Sequence, residues 1–218
     1  GHTRLERLFA PFNRGFDWVT RRFLGAVDLA LRRRILALGF FALMLGDAGE
    51  NAAKPETLKT MPTFFDASKH VVEQHFATSK DGTRVPYFLV RPKDLKFDGS
   101  NPTLLYGYGG FEISLTPGYS GGVGKGWLEK GGTYAVANIR GGGEYGPRWH
   151  QAALKANRHK AYEDFAAVAQ DLIARKVTSP AHLGIRGGSN GGLLTGNMLT
   201  QYPDLFGAVV IQVPLLDM

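Results

Sequence analysis

Cysteine is absent from the 218 residues, so neither a disulfide nor a thiolate metal site can form. Its absence does not choose a compartment, and cytoplasm and periplasm both stay open. Also missing is an apolar run long enough to cross a bilayer, which takes about 20 residues. The longest candidate, Ile35 to Leu45, has 11. It follows Arg32-Arg33-Arg34 as a signal-peptide core follows its basic region, but more than 30 residues precede it, unlike an ordinary signal peptide. Acidic residues are outnumbered, 19 against 26 basic, for a net charge of +7. That balance would suit nucleic acid or an acidic membrane. The basic residues are scattered, however, and no aromatic-basic stripe or binding motif accompanies them, so nucleic acid is not an expected partner. No cofactor and no metal are expected.

What remains is ordinary globular material. Hydrophobic residues make up 44% and charged residues 21%, enough for one domain with a sizeable core. Composition shifts between residues 46 and 60. Residues 1–50 read as a basic, partly apolar helical leader or truncated membrane segment, suited to contact with a membrane surface. Gly46-Asp47-Ala48-Gly49-Glu50-Asn51 reads as a polar loop that stops the apolar helix. Residues 51–218 read as a domain of α/β class. His70 to Phe76 and Val85 to Val90 are expected strands, joined by the turn Lys80-Asp81-Gly82. Pro102 to Tyr106, Tyr134 to Ile139, Leu183 to Ile185 and Phe206 to Val213 are further strands; the second and last read as buried on both faces. Ala161 to Lys176 has apolar residues at helical spacing, and Leu193 to Leu199 reads as a helix. Strands alternating with helices imply a mostly parallel sheet with helices on both faces.

The strongest chemical signal is Gly187-Gly188-Ser189-Asn190-Gly191. It fits G-x-S-x-G between a strand end and a helix, the nucleophile elbow of α/β-hydrolases. Such a turn lifts the serine hydroxyl clear of the backbone and aims neighbouring N–H groups at one point. The N–H of Asn190 is then one oxyanion donor. Gly107-Tyr108-Gly109-Gly110-Phe111 follows an early apolar strand, where these folds place the other half of the oxyanion hole. Gly141-Gly142-Gly143-Glu144-Tyr145-Gly146 formally satisfies the dinucleotide fingerprint G-x-G-x-x-G, with Asp164 about twenty residues on. The context is wrong, because Asp164 falls inside a helical pattern instead of ending a strand. A glycine-rich active-site loop is the better reading.

Four blocks in order resemble the prolyl oligopeptidases: Leu105 to Phe111, Ala135 to Gly146, Gly187 to Leu194, and Pro203-Asp204-Leu205-Phe206-Gly207. The resemblance covers about residues 60–218. It implies a partial α/β-hydrolase fold and a serine peptidase that cleaves short, proline-containing peptides after proline, in a family whose catalytic domain is paired with a gating β-propeller. Carried over by position, Ser189 is the nucleophile. Asn190 supplies the backbone oxyanion donor and Tyr108 a hydroxyl donor. Phe111 lines the proline pocket, and Arg140 sits near the active-site mouth. Residues 7–45, with Phe12-Asn13-Arg14-Gly15-Phe16-Asp17, are similar to a segment before a transmembrane helix in resistance-nodulation-division efflux transporters.

A serine hydroxyl needs an adjacent base, and in α/β-hydrolases the acid and the histidine follow the serine. All six histidines (His2, His70, His75, His150, His159 and His182) precede Ser189, and only Asp204 and Asp217 follow it. His150 and His159 are the candidates for a nonstandard base. The expectation is a peptidase-type chain that is inactive or weakly active, with an apolar strand, Phe206 to Val213, exposed as an edge for self-association. The alternatives are a membrane-associated non-enzymatic fragment and a general esterase with an incomplete triad.

Overall fold

The computed structural model describes residues 4–50, 57–60 and 62–216. They fall into two units, residues 1–61 and 62–218. The first holds helices α1 (Arg4–Arg32) and α2 (Arg34–Glu50). The backbone ladder crosses their junction: Arg33 N–H donates to Leu29 O at 2.9 Å, and Ala37 N–H to Arg33 O at 3.0 Å. Apolar side chains over residues 35–43 of α2 face water, with Ile35 86% and Leu43 70% exposed. No described helix is long and apolar enough to cross a membrane. The loop expected from Gly46 is corrected, because α2 runs on to Glu50. Glycine costs a helix interior about 1 kcal/mol relative to alanine, a penalty that Ala48 and the continuing ladder can absorb. Asn51 lies outside the described residues.

The second unit is a six-stranded sheet. Its strands are β1 (His70–Thr78), β2 (Arg84–Pro92), β3 (Thr103–Gly107), β4 (Thr133–Ala137), β5 (Leu183–Gly188) and β6 (Ala208–Gln212), in the order β1-β2-β4-β3-β5-β6. β1 and β2 form an antiparallel hairpin, and β2 pairs antiparallel with β4. The β4/β3, β3/β5 and β5/β6 pairs are parallel, as the strand–helix alternation predicts. The helices are α3 (Gly121–Gly126), α4 (Pro147–Gln151), α5 (His159–Ala174) and α6 (Asn190–Gln201).

Period-two alternation decides which face each strand buries. Tyr87 and Leu89 of β2, Leu105 of β3, Ala135 and Ala137 of β4 and Ile185 of β5 point to one side. There they meet Phe165, Val168 and Leu172 of α5 and Leu194 and Met198 of α6 in one core. The opposite side carries Phe88, Val90, Tyr106, Tyr134 and Val136, which line a groove of about 690 Å³ beneath α3 and the loop before it. So β4 is fully buried on one face only. β6 is corrected as well: as the last strand of the sheet it alternates between half-buried and exposed, with Val209 packed on the core and Val210 46% exposed.

Candidate active site

Strand β5 ends at Gly188, and α6 begins at Asn190. Ser189 alone makes the turn, at φ 56° and ψ −118°, a left-handed conformation that costs a non-glycine residue about 1–3 kcal/mol. Hydrogen bonds hold it there. Its N–H donates to Gln212 O at the end of β6 (3.0 Å), and its carbonyl accepts from Gly192 N–H (2.9 Å) and Leu193 N–H (3.1 Å). The glycines around it have a steric reason. A Cβ on Gly187 would collide with Gly191 O, and one on Gly191 would stand 2.8 Å from Gly107 O. The elbow is thereby pressed against the Gly107–Phe111 loop that leaves β3.

Both halves of the expected oxyanion hole therefore sit side by side. Asn190 is the first residue of α6, so its N–H has no intrahelical acceptor. Its side chain is buried and committed elsewhere: Nδ2 donates to Tyr108 O at 2.6 Å, and Oδ1 accepts from Arg158 Nη2 at 3.0 Å. The loop continues through Phe111 and Glu112, two consecutive non-glycine residues with positive φ (52° and 57°). The triple-glycine loop supports this conformation. Glu112 N–H donates to Gly141 O at 3.3 Å and Gly143 N–H to Ile113 O at 3.2 Å. A Cβ on Gly141 would run into Gly109 O, and one on Gly143 into Glu112 O. These glycines serve backbone-to-backbone packing of two loops, which removes the motivation for a dinucleotide site.

The chain that forms this arrangement has counterparts among known proteins. Residues 124–218 match the prolyl oligopeptidase family. An uncharacterized peptidase of Sinorhizobium fredii is 66% identical over 163 residues, 75% of this chain and 22% of its own length. A prolyl endopeptidase of Elizabethkingia miricola is 45% identical over 168 residues, 77% of this chain and 24% of its own length. The structure of a post-proline cleaving enzyme from Rickettsia typhi superimposes with a TM-score of 0.70 at 50% identity, covering 75% of this chain and 23% of that one.

Residues 124–218 belong to the prolyl oligopeptidase family.

The chain spans between a fifth and a quarter of the length of these relatives, from 22% to 24%. The resemblance of residues 7–45 to an efflux transporter finds no support among these matches. Within the prolyl oligopeptidase frame, the fold brings Ser189, Asn190 and Tyr108 together. Phe111 projects from the same loop and is 64% exposed. Arg140 is corrected. It is only 4% exposed and does not line a mouth. Its Nε and Nη2 donate to the two oxygens of Asp164 (2.8 and 2.6 Å), its Nη1 to Asp81 (2.5 Å) and its Nη2 to Ser79 Oγ (3.3 Å). With both carboxylates pairing it, its pKa is held above the ordinary arginine value despite burial. Arg140 braces the glycine loop from beneath.

The candidate bases are engaged away from the serine. His150 Nδ1 donates to Gly141 O at 2.6 Å, and His159 Nδ1 contacts Ala156 O at 3.1 Å. Ser189 Oγ has no hydrogen-bond partner among the described residues. Asp204 is exposed beyond α6, and Asp217 lies outside the described residues. Sequence reasoning missed Arg158, whose signal is only one more basic residue in Asn157-Arg158-His159. It also missed Glu144, whose Oε1 accepts from Leu115 N–H (3.0 Å) and Asn138 Nδ2 (3.1 Å) and so anchors the far end of the loop that follows β3.

Proposed function

We propose that this chain carries the nucleophile and oxyanion half of a post-proline serine peptidase. The observation that carries the reading is Ser189 itself, left-handed at the strand-to-helix turn and facing the Gly107–Phe111 loop. In the proposed reaction Ser189 Oγ attacks the carbonyl carbon of the proline residue itself, and its proton passes to a base. The Asn190 N–H and the Tyr108 hydroxyl stabilise the oxyanion. The bond to the leaving group breaks, the leaving group takes up a proton, and water then releases the acyl group from Ser189. No histidine or carboxylate among the described residues hydrogen-bonds to Ser189, so within them the serine proton can pass only to water and acylation is slow. An oxyanion hole and binding alone still give about 10³–10⁴-fold over water in a triad-deleted protease.

An activated 4-nitrophenyl ester of an N-blocked dipeptide ending in proline tests this. The expected result is an acyl adduct mapped by mass spectrometry to Ser189, formed faster than from the leucine-ending ester and absent in Ser189→Ala. Equal rates from the two esters would leave a general esterase in place of a post-proline enzyme. An adduct that persists in Ser189→Ala would remove the serine-hydrolase reading.

A second reading concerns the first unit. Exposed apolar side chains over residues 35–43 of α2, beside Arg32-Arg33-Arg34, favour contact with an anionic membrane surface. The chain is then expected to float with anionic vesicles, and a variant lacking residues 1–50 to stay in the soluble fraction. Equal flotation of both would end this reading.

A further inference from the structure

We propose that Arg158 is a positioning residue for the oxyanion hole, locking the Gly107–Phe111 loop onto the nucleophile elbow. The inference rests on the reading of Ser189 as nucleophile and adds a residue that neither the motif nor the loop contains.

Arg158 sits immediately before α5, half-buried between three loops. Its Nη1 donates to Gly109 O at 2.5 Å, and its Nη2 donates to Asn190 Oδ1 at 3.0 Å. One planar guanidinium thus grips the β3 loop with one nitrogen and the elbow with the other. The third loop makes room for it: a Cβ on Gly141 would stand 3.0 Å from Arg158 Nη1. The guanidinium also lies over the Tyr162 ring, 5.5 Å from its centroid. None of its contacts among the described residues is to a carboxylate. Its charge is spent on two neutral oxygens, and hydrogen bonds of that kind are shorter and stronger than neutral ones.

The chain of consequence runs through Asn190. Arginine only donates, so the Asn190 amide must turn its oxygen towards Arg158 and its nitrogen towards Tyr108 O. That fixes the Tyr108 backbone from one side while Gly109 O is fixed from the other. The two oxyanion donors, one on each loop, are therefore held in register by a group that touches neither substrate nor serine. Lysine, with a single point charge, can satisfy one of the two oxygens but not both in the same plane.

Two readouts on the full chain test the proposal. The first is amide hydrogen exchange, which needs no activity. Arg158→Met should speed exchange in residues 108–112 by about tenfold or more, with β3 and β5 as protected as in wild type. Arg158→Lys should fall between the two. Unchanged exchange in residues 108–112 of the methionine variant would overturn the proposal. The second is the rate of Ser189 acylation by the proline ester, expected to drop about tenfold in Arg158→Met, less than the about 10²-fold for deleting an oxyanion donor outright, and to recover partly in Arg158→Lys. An equal rate in the methionine variant and wild type would also overturn it. Absence of acylation in wild type would instead count against the nucleophile reading, and exchange alone would then decide the role of Arg158.

Discussion

Replacing Asp164 by alanine is expected to cost about 3–5 kcal/mol, the loss typical of removing one partner from a buried ion pair. Asp164 is fully buried on α5, and Arg140 is 4% exposed. The carboxylate takes three hydrogen bonds from Arg140: the backbone N–H at 3.0 Å, Nε at 2.8 Å and Nη2 at 2.6 Å. Without it the guanidinium keeps Asp81 and Ser79 but loses the partner that faces the core. Natural domains are stable by about 5–15 kcal/mol, so this one change removes a large share. A urea titration checks it: the midpoint should drop steeply with little change in slope, and a loss below about 1 kcal/mol would show that Arg140 does not depend on Asp164. The Arg140–Asp81 pair and the separate Arg91–Glu73 pair set an acid sensitivity. Hydrogen bonds from Arg140 hold the Asp81 carboxyl well below its ordinary value of 3.8, and Arg91 lowers Glu73 from 4.5. As pH falls, the unfolded chain takes up these protons first. The linked stability is therefore full above about pH 5 and declines as pH drops towards the folded values. Asp81→Asn should flatten that decline.

Phe165→Ala is expected to cost about 3–5 kcal/mol and to loosen the oxyanion loop as well. Phe165 is fully buried where α5 crosses the sheet, and its ring fills the space that a side chain at position 107 would need. A Cβ on Gly107 would stand 2.6 Å from Phe165 Cε2 and 3.2 Å from Leu194 Cδ2. The core thus presses directly on the residue before Tyr108. The alanine variant leaves a cavity there, and the slower acylation of Ser189 should accompany the lost stability. Gly107→Ala is the converse, an overpacking that costs about 1–3 kcal/mol. Because the two changes meet in one space, their combination should destabilise by less than the sum. Strict additivity in urea titrations would mean that ring and glycine do not constrain each other.

Much of this was legible in the sequence, because the signals were local. The apolar runs around Leu105, Ala135 and Ile185, punctuated by glycine, mark the strands, and the helical spacing of Phe165, Val168 and Leu172 marks α5. The elbow is a five-residue motif in its proper setting. What was not legible depends on contacts between distant residues. Arg140 reads as a mouth residue until the fold brings Asp81, 59 residues away, and Asp164, 24 residues away, around it. Arg158 meets Gly109 and Asn190 across separations of 49 and 32 residues. β6 lies at the edge of the described sheet and alternates between half-buried and exposed, which agrees with the exposed apolar edge expected of Phe206 to Val213 and not with a strand covered on both faces. The helix through Gly46 and Asp47 shows an unbroken hydrogen-bond ladder outweighing unfavourable local residues.

The central claim is that Ser189 is held ready for acyl transfer by two loops that place their donors at one point. The most direct measurement is a crystal structure of the chain after reaction with a small phosphonofluoridate, whose tetrahedral adduct mimics the oxyanion. The account predicts phosphorus bound to Ser189 Oγ, with one phosphonyl oxygen within hydrogen-bond distance of both the Asn190 N–H and the Tyr108 hydroxyl. An adduct on another residue, or a phosphonyl oxygen on Ser189 that meets neither donor, would contradict it.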